Sequence, residues 1–195
     1  MRPATVADAP AIAAIYAPYV RDTAVSFELE PPDAAETARR IAKISATYPY
    51  LVYCGPDDRV AGYCYASRHS ERAAYRWDVD TSVYVDPPFC GRGVGTALYT
   101  RLFELLERQG FRRAYAGITV PNAASEALHR KFGFQPIGTF RATGYKLGQW
   151  RDVLWLDKPL GDGDASEPGE IGEPPPHFAK RIVSAPPRLN LTHNF

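Results

Sequence analysis

The amino-acid sequence predicts an α/β fold, with one mixed sheet covered by helices on both faces. Three observations lead there. Strand-like stretches of period two alternate with helix-like stretches of period 3.6 as far as Leu160. The length, 195 residues, matches about one domain. The composition, 45% hydrophobic and 23% charged, supplies a core and argues against a disordered chain.

Asp8 reads as an N-cap with Pro10 in the first turn, and Ile12, Ile15, Tyr16 and Tyr19 recur on one helical face, so a first amphipathic helix is expected to end near Pro18. A second helix is expected from Asp33 to Thr47. Leu51 to Cys54 and Val60 to Ala66, joined by Gly55-Pro56-Asp57-Asp58, read as a hairpin. Asp78 to Val85 reads as a strand with Val79, Val83 and Val85 on one face and Asp80, Ser82 and Tyr84 on the other. Leu98, Leu102, Leu105 and Leu106 mark a helix stopped by Gly110. Then follow a strand from Arg113 to Thr119, a helix from Asn122 to Lys131 stopped by Gly133, and strands at Gln135 to Lys146 and Val153 to Lys158.

Residues 1–160 are thus read as the folded domain. The last 35 residues, 161–195, hold six prolines and four glycines and read as a flexible or surface-draped tail. A net charge of +1, without a block of like charges, argues against nucleic acid or an anionic membrane as partner. No N-terminal stretch has the form of a signal peptide or membrane span. Cys54, Cys64 and Cys90 cannot all pair and lack zinc-site spacing, which fits a soluble protein of the reducing cytoplasm and predicts no metal; Cys54 and Cys64 are expected in the core.

The informative segment is Val83-Tyr84-Val85-Asp86-Pro87-Pro88-Phe89-Cys90-Gly91-Arg92-Gly93-Val94-Gly95-Thr96. Its glycines sit where a strand gives way to a helix, so backbone N–H groups can converge on an anion such as a pyrophosphate. The spacing is neither that of a dinucleotide fold nor that of a P-loop.

This segment resembles the acetyl-CoA pyrophosphate motif of the GNAT N-acetyltransferases, and Asn122 to Phe134 resembles the motif that follows it. Similarity extends from Arg2 to about Leu160. It narrows to the phosphinothricin and methionine sulfoximine acetyltransferase branch through Thr23 to Phe27, Arg72 to Trp77, Thr81 to Val85 and Gly144 to Val153. The chain departs from the pattern at Cys90, where the family has Gln or Arg.

The resemblance implies a GNAT fold with a mostly antiparallel sheet, acetyl-CoA as co-substrate and a homodimer. It implies that Val83, Tyr84 and Val85 pair with the pantetheine arm, that Gly91, Arg92, Gly93, Val94, Gly95 and Thr96 wrap the pyrophosphate, and that Asn122 bonds the arm. Asp80 matches a carboxylate, Glu in relatives, offered as general base, and here a water relay fits the shorter side chain. His129 matches a histidine that could act as base or acid, its reference pKa being about 6.5. Phe27, Arg72, Tyr75 and Ser82 match or adjoin acceptor-pocket positions, with Arg72 suited to clamp a carboxylate or phosphinate if it is not simply a solvated loop charge. Trp77, Trp150 and Trp155 are read as packing residues, and His69, His177 and His193 receive no role. Three functions compete: acetylation of the α-amine of a small amino-acid analogue, acetylation of another amine such as a protein N-terminus, and acyl-CoA sensing without turnover.

Overall fold

The computed structural model describes residues 1–161 and 166–174, and a seven-stranded sheet forms its middle layer. In chain order the elements are β1 (Arg2–Pro3), α1 (Ala9–Asp22), α2 (Ala34–Ser45), β2 (Tyr50–Cys54), β3 (Val60–Arg68), β4 (Asp78–Val85), α3 (Val94–Gln109), β5 (Arg113–Val120), α4 (Ala123–Lys131), β6 (Gln135–Lys146) and β7 (Gln149–Pro159). The strand order is β1-β2-β3-β4-β5-β7-β6, and only β4 and β5 run parallel.

Alternation along the central strands explains the two helical layers. Leu51, Cys64, Ala66 and Val79 join Leu98, Leu102 and Leu106 of α3 in one core cluster. Tyr50, Val52 and Tyr63 point the other way and pack with Ile12 and Ile15 of α1 and Ile41 of α2. Both faces of β2 and β3 are therefore buried, which is why Tyr50 to Cys54 is an unbroken apolar run. The start of α2 and the end of α3 follow their sequence signals, whereas Asp8 precedes α1 without a side-chain cap bond and pairs with Arg2 instead. Asp33 caps α2 by accepting the Glu36 N–H at 2.7 Å, and Gly110 closes α3 with φ +91°.

Three expectations need correction. Helix α1 continues past Pro18 to Asp22, because a proline removes one ladder bond while Val20 beyond it is fully buried and Tyr19 donates its hydroxyl to the Val85 carbonyl at 2.6 Å. The last strand starts at Gln149 rather than Val153, since Lys146↔Gln149 closes a tight hairpin. Trp150, expected to pack, is 64% exposed on that hairpin. Cys64 is fully buried and Cys54 half-buried, both as free thiols.

The feature that positions the site is the short contact between β4 and β5. They pair only at Asp78↔Arg113, Val79↔Ala114 and Asp80↔Tyr115. Beyond that point Thr81 donates its hydroxyl to the Tyr115 carbonyl at 3.2 Å, β5 continues pairing with β7, and a cleft opens between β4 and β5. Of the expected tail, residues 166–174 lie against the domain: Trp77 Nε1 donates to the Gly169 carbonyl at 2.9 Å, and Gln109 exchanges bonds with Gly172. The rest of the tail, with His177 and His193, lies outside the described residues. No described helix is long and apolar enough to cross a membrane.

Candidate active site

The cleft is lined on its β4 side by Thr81, Ser82, Val83 and Tyr84 and on its β5 side by Ala116 to Thr119. Asn122, Ser125 and His129 of the α4 region and Val25 of the loop after α1 complete it. One end meets the glycine turn. Gly91 and Gly93 adopt φ +73° and +81°, a left-handed region where a side chain is strained, and nothing lies within 4 Å of the Cβ either would carry. Gly93 is the N-cap of α3, so the free N–H groups of that helix start open toward space an anion can enter. At Gly95 a Cβ would meet Leu128 at 3.3 Å and Val85 at 3.8 Å, so its hydrogen allows α3 and α4 to approach. Val94 is buried beneath the turn, Arg92 lies over the Phe89 ring, and Thr96 Oγ1 takes the Lys131 ammonium at 3.5 Å. Lys131, a cation beside the turn, carried no separate signal in the sequence. Asn122 caps α4 by accepting the Ser125 N–H at 3.1 Å.

The two titratable candidates lie on opposite faces of the parted strands. Asp80 is on the α1/α2 face with Ser82 and Tyr84. Burial pushes its carboxyl above the usual carboxylate range, and a hydrogen bond from His69 pulls it back. His129 is on the α3/α4 face, where it is 4% exposed. Its Nδ1 donates to the Ser125 carbonyl at 2.8 Å and its Nε2 accepts the Tyr99 hydroxyl at 3.1 Å. Burial holds its pKa below the ordinary histidine value, so the ring is neutral.

His69, left without a role by the sequence, turns out to be the partner of Asp80. Its Nδ1 lies 2.7 Å from Asp80 Oδ1, and its ring stacks on Tyr115 with centroids 4.1 Å apart. Tyr75 meets the same ring edge-on at 6.1 Å, which joins it to the Asp80 cluster. Arg72 is exposed in the intervening loop, and no partner for its guanidinium is present among the described residues. Phe27 comes from the loop after α1 and lies flat over Gly144 of β6, whose missing side chain makes room for the ring. That loop is tied down by Lys146, which donates to the Ser26 and Glu28 carbonyls at 2.6 and 2.7 Å, and by the Glu28–Arg40 ion pair. The structure therefore brings the predicted residues into two groups, Ser82 to Tyr84 with Asn122 and His129 along the cleft that leads to the glycine turn, and Asp80 with Tyr75 around the His69 ring; Arg72 stands apart on the exposed loop and Phe27 on the flanking one.

A family model described as an acetyltransferase (GNAT) domain matches residues 1–155. The chain belongs to the GNAT acetyltransferase family. Within the GNAT family it is similar to a phosphinothricin N-acetyltransferase of Streptomyces coelicolor, 37% identical over 82% of this chain and 95% of that one. It is also similar to an L-methionine sulfoximine/L-methionine sulfone acetyltransferase of Pseudomonas paraeruginosa, 34% identical over 80% and 91% of the two chains. Among solved structures, a GNAT phosphinothricin acetyltransferase from Sinorhizobium meliloti in complex with AcCoA matches with TM-score 0.84 and 39% identity, covering 87% of this chain and 92% of that one. The GNAT fold expected from the sequence is thus the fold observed, and this GNAT chain is an N-acetyltransferase.

Proposed function

We propose that this enzyme transfers the acetyl group of acetyl-CoA to the α-amine of a small amino-acid analogue of the phosphinothricin or methionine sulfoximine type, by direct attack of the amine on the thioester. The observation that carries the reading is the parting of β4 from β5 after Asp80↔Tyr115, with an anion-accepting glycine turn beyond one end and the Asp80 carboxylate at the other. The fit to acetyl-CoA rests on the same features: unfilled space over Gly91 and Gly93 for the pyrophosphate, and a cleft wall at Val83 and Tyr84 for an extended amide chain.

Acetyl transfer needs a neutral amine, polarisation of the thioester carbonyl and a proton for the leaving thiolate. Asp80 stands on the amine side as the carboxylate of the general base. Backbone N–H groups of Val83 to Val85 face the carbonyl, and Asn122 bonds the cofactor's arm. Neutral His129, with Tyr99 and Ser125, forms the hydrogen-bonded wall from which the thiolate takes its proton. Arg72 clamps the acceptor's anionic group in two-pronged fashion, and Phe27, Tyr75 and Ser82 border the acceptor.

The reading includes a homodimer, supported by the edge strand β6 and its hairpin, where Ile137, Phe140, Tyr145 and Trp150 are exposed; a monomer by light scattering at micromolar concentration counts against it. It includes a cytoplasmic location, supported by three free cysteines. Thiol release by purified protein with acetyl-CoA and a panel of amines tests the function: phosphinothricin, methionine sulfoximine, ordinary amino acids and an N-terminal peptide. Turnover confined to the first two is the expected result, and turnover of the peptide alone refutes it.

A further inference from the structure

We propose that His69 is the group that removes the acceptor's proton, with Asp80 holding the imidazolium that forms. The proposal rests on the acceptor site described above and adds a residue to it. An ionised Asp80 accepts at Oδ1 from His69 at 2.7 Å, so the histidine carries its proton on Nδ1 and its lone pair on Nε2. Nε2 has no hydrogen-bond partner among the described residues. The other described histidine, His129, has both nitrogens engaged and is 4% exposed, whereas the His69 and Asp80 side chains are 24% and 33% exposed and can exchange protons with water.

The ring is also held in place. It stacks on Tyr115 at an interplanar angle of 16°, with Tyr75 and Trp155 edge-on at 6.1 and 6.4 Å. An aromatic face favours the ring when it is charged. Tyr115 belongs to the last β4–β5 pair before the cleft opens, and Arg72 follows His69 by three residues in one loop, so the proton acceptor and the anion clamp share a segment at the cleft's mouth.

The step balances as follows. An N–H bond of the acceptor's ammonium breaks, the proton bonds to His69 Nε2, and the electron pair stays on nitrogen. That nitrogen forms the C–N bond to the thioester carbonyl carbon, and the C–S bond breaks with its pair going to sulfur. The thiolate takes its proton from the His129–Tyr99–Ser125 wall, the amine's second proton replaces that one, and His69 returns its own to solvent.

Kinetics of the wild type, His69→Asn and His69→Ala across pH 6 to 9.5 (about the range in which an amine ionises) test the step. Asparagine places an amide N–H where Nδ1 stood, keeping the bond to Asp80 without a titrating group. Both variants should lose kcat/KM for the acceptor by roughly 10²- to 10⁴-fold near neutrality, with the loss shrinking as pH approaches the amine's own pKa. The acetyl-CoA KM should not move. The groups around the ring that shape this profile are Asp78 and Asp80 of β4, Arg113 and Tyr115 of β5, Asp157 of β7, and Arg68, Glu71 and Tyr75 beside it. An Asn variant with wild-type rate, or with a loss equal at every pH, overturns the proposal and leaves the acceptor site standing. A wild type that acetylates no amine in the panel ends both. Histidine ¹⁵N spectra of the wild type give a variant-free check: Nδ1 protonation of neutral His69 is expected, and an Nε2-protonated ring refutes it.

Discussion

Replacing Gly144 by alanine should evict Phe27 from its place over β6 and, with it, from the proposed acceptor site. A Cβ at residue 144 would lie 2.3, 2.5 and 2.8 Å from three atoms of the Phe27 ring, more than 1 Å short of an ordinary carbon contact of about 3.5 Å at the closest of them. The ring must move, and it can, because Phe27 is already 40% exposed. Freeing it completely uncovers about 120 Å² and costs about 3 kcal/mol at roughly 25 cal/mol per Å²; a partial swing costs about half of that. Alanine returns about 0.5 kcal/mol by stiffening the unfolded chain, as Gly144 has no left-handed φ. The net loss is about 1 kcal/mol, a fall in Tm of roughly 2 to 4 °C. The acceptor should suffer more: losing an apolar wall of one ring is worth about 1 to 3 kcal/mol, or roughly 5- to 150-fold in kcat/KM. Differential scanning calorimetry and acceptor titration at saturating acetyl-CoA measure the two effects. An unchanged acceptor constant beside the expected Tm shift would remove Phe27 from the site.

Three further outcomes are expected. Arg72→Ala should lower kcat/KM for the acceptor by the worth of a charge-assisted bond, about 1.5 to 3 kcal/mol or roughly 10- to 150-fold, and the difference should vanish with an amino-acid amide if the α-carboxylate is what Arg72 holds. Gly93→Val, at φ +81° with open space around it, should raise the acetyl-CoA KM strongly in a protein that still folds; an unchanged KM sinks the pyrophosphate assignment. Thermal stability should fall as pH drops from about 7 to 5, because unfolded His129 binds a proton near its ordinary pKa of about 6.5 while the buried ring resists it, so the unfolded state gains protons first. His129→Gln should flatten that slope, and a slope identical to wild type refutes the assignment.

What could be read from the sequence was what short-range pattern controls. The period-two run Asp78 to Val85, the leucine face of α3 and the glycines at 91, 93 and 95 each sit within a few residues of their signal, and each stands where the pattern put it. The His69–Asp80 pair was hidden because it depends on strand register. Arg68↔Val79 places His69, one residue past β3, beside the start of β4, and the signal that could have found it was the hairpin phase rather than any motif. Lys146 reaches Ser26 across 120 residues of sequence, and no local pattern encodes that. Pro18 misled because burial of Val20 outweighs one missing backbone bond.

The brief β4–β5 contact has a bearing on how much folded enzyme exists at all. Past Asp80 and Tyr115 the middle of the sheet leaves peptide groups to water, an arrangement normally confined to a sheet's margin. A guest that lies along this seam binds the native chain and not the unfolded one, so its abundance adds to stability by mass action, by about 2.7 kcal/mol at a hundredfold excess over Kd. Depletion of acetyl-CoA from that excess would then raise the small unfolded fraction about a hundredfold, and the chain's exposure to proteolysis would follow the supply of its own donor.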